Sequence, residues 1–209
     1  MAKQKGIIKL DGTIGGITFY KSTLDGYLAR EKGGVSADKI ANDPNFQRTR
    51  ENGEEFGRAG KAGKLLRNAI RAMLQNASDS RMVGRLTQKM VEVIQEDLTN
   101  PRGQRNVIDG EAELLEGFEF NISGKLGTTL YAPFTGTIDR VAGTLTANIP
   151  AFVPINMLAA PGGSTHFKIV SAGAEVDFEN ETFVMDAQAT AVLPWDSAAT
   201  AVITLVNTV

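Results

Sequence analysis

The spacing of apolar residues changes period twice along the chain. From Gly6 to Gly34 it alternates, with Ile8 and Leu10, then Ile14, Ile17 and Phe19, then Tyr27 and Leu28 beyond Thr23-Leu24-Asp25-Gly26. A period of two predicts short strands, and Asp-Gly between two such runs predicts a hairpin turn. Gly12, Gly15 and Gly16 interrupt the first run and predict bends or a bulge. So short a piece, with so few large apolar side chains, cannot close a core. Its strands are expected to add to the rest of the chain or to another copy.

From residue 43 to residue 99 the period becomes helical. Phe56, Ala59, Leu66, Ala69, Ile70, Met73 and Leu74 fall on one side of a helix, while Arg58, Lys61, Lys64, Arg67 and Arg71 fall on the other. Glu54 stands four residues before Arg58, the favourable order for a surface ion pair. Gly57, Gly60 and Gly63 each cost a helix about 1 kcal/mol relative to Ala. They call either for close approach of another backbone or for a loop that becomes helical only near Gly63. A polar break at 75–80 follows, with Ser78, Asp79 or Ser80 as the expected cap. The second helix carries Met82, Val83, Leu86, Met90, Val93 and Ile94 on one side and is expected to stop at Asn100-Pro101-Arg102-Gly103. Two such helices predict an antiparallel αα-hairpin.

Beyond Gly103 the pattern alternates again. Strands are expected at 114–121 around Phe118 and Phe120, within 131–149 around a turn at 140–143, and at 167–170, 175–178, 182–185 and 201–206. Roughly seven short strands in about 100 residues predict an antiparallel β-sandwich of immunoglobulin-like or fibronectin-like size. The fold class is therefore α+β, in three regions: a β-hairpin arm at 1–42, an αα-hairpin with a basic face at 43–103, and an acidic β-sandwich at 104–209.

Charge sharpens this division. The formal net charge is −2, yet residues 1–105 hold 19 Lys+Arg against 12 Asp+Glu, and residues 106–209 hold 3 against 12. Such a split suits a polyanion on the basic half, head-to-tail contact between copies, or attraction within one molecule. With no Cys, one His and one Trp, thiol catalysis, cysteine metal ligation and disulfide stapling are excluded. The apolar run after Lys3 and Lys5 is only Ile7-Ile8, too short for a signal peptide, and no stretch reaches the length of a membrane span. Synthesis in the cytoplasm is expected, with any release, as part of a particle or filament, by a route that reads no N-terminal signal.

Residues 57–64, Gly-Arg-Ala-Gly-Lys-Ala-Gly-Lys, fail the phosphate-loop pattern in spacing and lack the following Ser or Thr. Ser164 and His166 lack a nucleophile elbow, which leaves His166 as an exposed histidine at a strand start and a hydrolase as the weakest reading. Asp177, Glu179 and Glu181 would hold Ca²⁺ if they shared one side of a strand; an acidic hairpin turn is the simpler reading. Neither a catalytic residue nor a cofactor is expected. The basic face of Arg58, Lys61, Lys64, Arg67 and Arg71, extended by Arg48, Arg50, Arg81 and Arg85, is the candidate contact surface for nucleic acid. However, no aromatic residue lies between Phe56 and Asn106 to stack on bases.

The two ends of the chain carry the sharper idea. Val202, Ile203, Leu205 and Val206 lie in an uncharged, strand-forming segment from Thr200 to Val209. Such an edge invites pairing, and the segment carrying Ile8, Leu10, Ile14, Ile17 and Phe19 is its natural complement, within the chain or donated by a neighbour. Residues 12–21, 25–35, 43–52 and 161–167 together resemble a group of uncharacterised proteins of similar length from Bacteroidota and their mobile elements. That resemblance transfers no catalytic residue and implies a structural or particle-associated role. The leading expectation is a non-enzymatic assembly subunit of a filament, tube, shell or phage-like particle, with its own copies as partners and no small-molecule substrate. Nucleic-acid binding through the basic face is the alternative.

Overall fold

The computed structural model describes residues 2–75 and 77–209; Met1, and Asn76 within the polar break, lie outside the described residues. Helix and strand are mixed, with antiparallel sheets and a long helical hairpin. The chain divides into two compact units, Met1–Arg50 and Glu51–Val209.

In the first unit, β1 (Ala2–Lys3), β2 (Gly12–Ile14), β3 (Ile17–Ser22) and β4 (Gly26–Glu31) form one antiparallel sheet in the order β1-β4-β3-β2. The turns follow the glycines: Gly15 has φ 57° between β2 and β3, and Gly26 has φ 76° at the start of β4. Both values favour a residue without Cβ. Register places Ile14, Ile17, Phe19, Tyr27 and Ala29 on one face. Ile8 and Leu10, expected in a strand, instead lie in the loop between β1 and β2. The reason is Gln4, whose side chain takes the pairing role of a strand: its Nε2 donates to the Leu28 carbonyl at 2.9 Å, and its Oε1 accepts from the Leu10 amide at 2.9 Å. A short helix, α1 (Ala37–Asn42), follows with Ser36 as its N-cap.

The helices of the second unit begin earlier than the glycines suggest. α2 (Gln47–Ala69) is regular through Gly57, Gly60 and Gly63, breaks at Ile70, and continues as α3 (Arg71–Leu74); α4 is Met82–Gln95. Ala59, Ala62, Leu74, Met82, Leu86, Met90, Val93 and Ile94 form the buried core of the hairpin with Val107. The close approach of another backbone is not realised: a Cβ at Gly63 would meet the Leu86 and Met90 side chains at an ordinary 3.6–3.7 Å, and at Gly57 and Gly60 it would meet open space. Phe56, expected in the core, is 62% exposed. Glu55 takes a buried position instead, while the expected Ala59, Ala69 and Leu74 are buried and Leu66 and Ile70 pack on the core.

Two further expectations are corrected. α4 stops at Gln95 rather than near Asn100, because the Asp97 side chain accepts from the Thr99 and Asn100 amides and starts a turn. Residues 114–121 form no strand: a 3₁₀ turn (Ala112–Leu115) leads into Phe118 and Phe120, which meet edge to face at 4.9 Å and pack on the helical core. The alternation there serves packing on a helix pair, with no neighbouring strand to pair with.

The remaining elements are α5 (Leu126–Thr129), β5 (Thr135–Asp139), β6 (Thr144–Ile149), α6 (Pro154–Met157), β7 (His166–Phe167), β8 (Val170–Asp177), β9 (Thr182–Ala189), β10 (Leu193–Pro194) and β11 (Ile203–Thr208). Pairing yields a three-stranded sheet β11-β6-β5 and two pairs, β8-β9 and β10-β7. It establishes antiparallel sheets without establishing an immunoglobulin topology. A second core gathers Leu130, Ala132, Ile149, Phe152, Ile203 and Leu205. Over the far end of the three-stranded sheet, β8 comes so close that a Cβ on Gly173 would stand 2.9 Å from the Asn207 Cβ and 3.0 Å from Leu145 Cδ1.

Glycine is therefore wasteful at one position and required at another. Replacing Gly57 by Ala adds helix propensity in open space and should stabilise the protein by about 1 kcal/mol. Replacing Gly173 by Ala overpacks two layers and should cost about 1–3 kcal/mol. Urea midpoints of the two variants check both signs.

Candidate functional site

The basic face does not survive as one free patch. The Arg58 guanidinium donates to the carbonyls of Gly103 and Arg105, so it docks on a loop instead of pairing with Glu54. Arg67 is half-buried, with its Nε donating to the Gly63 carbonyl at 3.1 Å. Lys61, Lys64 and Arg71 are exposed. Of the expected extension, Arg50 donates to the carbonyls of Ile40 and Asp43. Arg85 pairs with Asp79 at 2.6 Å, donates to the Glu119 carbonyl and lies 5.2 Å from the centre of the Phe118 ring. Helical residues 57–64 offer no phosphate-binding loop.

Arg58 and Lys61 line a cavity of about 190 Å³ with Val107, Phe178 and Glu181. Glu181 has φ 54° at the end of the β8–β9 turn, a conformation costing a non-glycine residue about 1–2 kcal/mol. Asp177 accepts from the amides of Glu179 and Asn180, so the acidic cluster is built as a turn. Among the described residues no group of three His, Asp or Glu is placed to hold a metal. His166 is exposed, with Thr165 Oγ1 2.9 Å from its Nδ1.

The strand-forming ends are placed separately. β11 pairs with β6 along its full length, from Ile203 opposite Ile149 to Thr208 opposite Thr144. Ile203 and Leu205 point into the second core; Val206 is exposed, and Val202 precedes the strand. Ile14, Ile17 and Phe19 belong to the N-terminal sheet, with Ile14 63% exposed. Within this chain the two ends are therefore not each other's strand partners.

The polar cluster that sequence reading missed joins the two helices to the loop after them. Glu55 is buried and receives Arg105 in a two-pronged pair, Nε to Oε1 and Nη2 to Oε2, each at 2.8 Å, with the Gly103 amide donating to Oε1 at 2.7 Å. The Arg105 hydrogen bonds are the main cause holding the Glu55 carboxyl below its ordinary value; burial opposes them, and the Gly103 amide reinforces them. Asp97 is buried as well. Burial works to raise it, but hydrogen bonds from the Asn100 amide and side chain, the Asn106 amide and the Thr99 amide prevail and lower it to about 2. Its only trace in the sequence is Asp97-Leu98-Thr99-Asn100-Pro101, an Asx-turn signal that was absorbed into the expected helix end. This cluster has every member engaged and serves as a clamp.

No protein-family model, no curated protein and no solved structure matches the chain.

Two outcomes test the clamp. Glu55→Ala strands the Arg105 guanidinium and should cost about 3–5 kcal/mol in urea unfolding. Asp97 binds its proton more weakly folded than at the ordinary 3.8, so its stabilisation is complete above that value and lost as pH falls towards about 2. Asp97→Asn should flatten the fall in urea midpoint over that acid range.

Proposed function

We propose that this chain is a non-enzymatic assembly subunit that associates with copies of itself. The observation that carries the reading is the first unit, in which Leu28 is the one buried hydrophobic side chain among the described residues. A sheet that buries one side chain cannot offset the ordering entropy of its strands, so its apolar face is built to be covered from outside.

In this reading the expected sandwich within residues 104–209 is the body, its strands lying in 130–209, with two-stranded β8-β9 as the second, narrower layer over β11-β6-β5. The charge split gives successive copies a basic and an acidic end, which favours head-to-tail contact, and head-to-tail contact forms rings or open filaments. The particle-associated role implied by the resemblance to Bacteroidota and mobile-element proteins is in keeping with this. Nucleic-acid binding is the second reading, favoured by the exposure of Lys61 and Lys64 on α2 and of Arg71 at the start of α3.

Nuclease-treated protein, followed by size-exclusion chromatography with light scattering over a range of concentration, should give species well above the monomer. Removal of residues 1–20 should return it to a monomer with its helical circular dichroism retained. A wild-type monomer at every concentration would overturn the assembly reading. Lys61→Glu with Lys64→Glu should leave assembly intact; a loss of nucleic-acid retention at low salt in that variant would instead favour the second reading.

A further inference from the structure

We infer that the space beside β8 and above β5 is an acceptor groove for one extended strand, and that residues 6–10 of a second copy are the donor; this rests on the assembly reading above. The groove follows from register. Ile203, Leu205 and Asn207 on β11 share one face with Ile149, Ala147 and Leu145 on β6, and with Gly136 and Ile138 on β5. β8 covers that face above Asn207 and Leu145, where Gly173 makes its close contact.

Above β5 the cover is missing. Ile138 is 67% exposed, and a Cβ built on Gly136 would meet nothing within 4 Å. Two cavities, of about 320 and about 400 Å³, adjoin there and share Ile138 and Leu145 in their walls. Among the described residues β8 pairs only with β9, so its other edge borders the groove without a strand partner. An apolar floor beside a free strand edge fits an extended chain, whose backbone continues the β8-β9 layer while alternate side chains fill the floor.

The donor is chosen by exposure, period and charge. Ile7 and Ile8 are among the most exposed large apolar side chains of the chain, and their loop is held by exposed hydrogen bonds from Gln4 and Lys9. Once extended, Ile8 and Leu10 project to the same side and match the two-residue spacing of Gly136 and Ile138. Lys5 and Lys9 then flank a groove whose walls carry Asp139 and Glu175 against the single cation Arg140. Repetition of this contact from copy to copy makes a head-to-tail chain.

The chain has no cysteine, so single cysteines report one contact each. Ile8→Cys protein mixed with Gly136→Cys protein should form a disulfide-linked heterodimer roughly tenfold or more above Ile8→Cys mixed with Val141→Cys, whose site is the exposed tip of the β5–β6 hairpin. Gly136→Val fills open space and should leave circular dichroism unchanged, yet raise the concentration needed for assembly roughly tenfold or more. Assembly without the groove cross-link, or unaffected by Gly136→Val, would overturn the groove and leave the assembly reading standing. A disulfide formed only within the doubly substituted chain at high dilution would overturn donation between copies. A wild-type monomer at all concentrations would overturn both.

Discussion

One buried carboxylate organises the helical half of the second unit. Glu55 sits on the inner stripe of α2 among alanines, where an unpaired charge would be intolerable, and the Arg105 guanidinium and the Gly103 amide satisfy it from 50 and 48 residues away. That pairing draws the loop after α4 back across α2. Gly103 is then forced into contact with Glu51, where a Cβ would stand 2.9 Å from the Glu51 Cγ, and Arg58 seals the same loop by its carbonyls. Asp97 acts as the second anchor at the end of α4. The small residues Ala59, Ala62 and Gly63 line the buried side of α2, but the carboxylates decide where the chain goes next.

From that loop onward the chain is laid down on surfaces already made. Phe118, Phe120 and Phe178 rest on the helical core, while the second core forms around the three-stranded sheet. Asn207 shows the tension at the seam. It is fully buried on the face that holds Ile203 and Leu205, donates to Ser171 Oγ at 2.6 Å, and leaves its Oδ1 without a partner. A polar side chain kept there, beside a glycine that admits β8, holds the two-stranded layer at one defined place over the three-stranded one. The layer stops above β6, and the uncovered strand β5 is a consequence of that stop.

The surplus of apolar surface is thus distributed in a pattern. The first unit presents a sheet face of Ile14, Ile17 and Phe19 with little beneath it, and the second unit presents an unfinished layer. Each, taken by itself, has strand edges and apolar side chains that its own elements leave exposed. The proposed cover from a neighbouring copy would meet no net repulsion, because residues 1–105 and 106–209 carry opposite net charge.

What the sequence determined by itself is everything encoded within a few residues. The hairpin turn at Asp25-Gly26, the amphipathic stripe of α4, the turn at 140–143 and the strand at the C-terminal end are all legible, because side-chain direction repeats every two or 3.6 residues and turn residues act locally. The tertiary structure alone decided which polar groups go inside. Glu55 displaces Phe56 from the core because Arg105 arrives from a distant loop; Arg58 leaves the basic face because carbonyls come within its reach; Ile8 and Leu10 lose their strand to the side chain of Gln4. Burying a charge or replacing a strand depends on partners brought together by folding, and the free energy of such a pair has no counterpart in the period of the residues on either side.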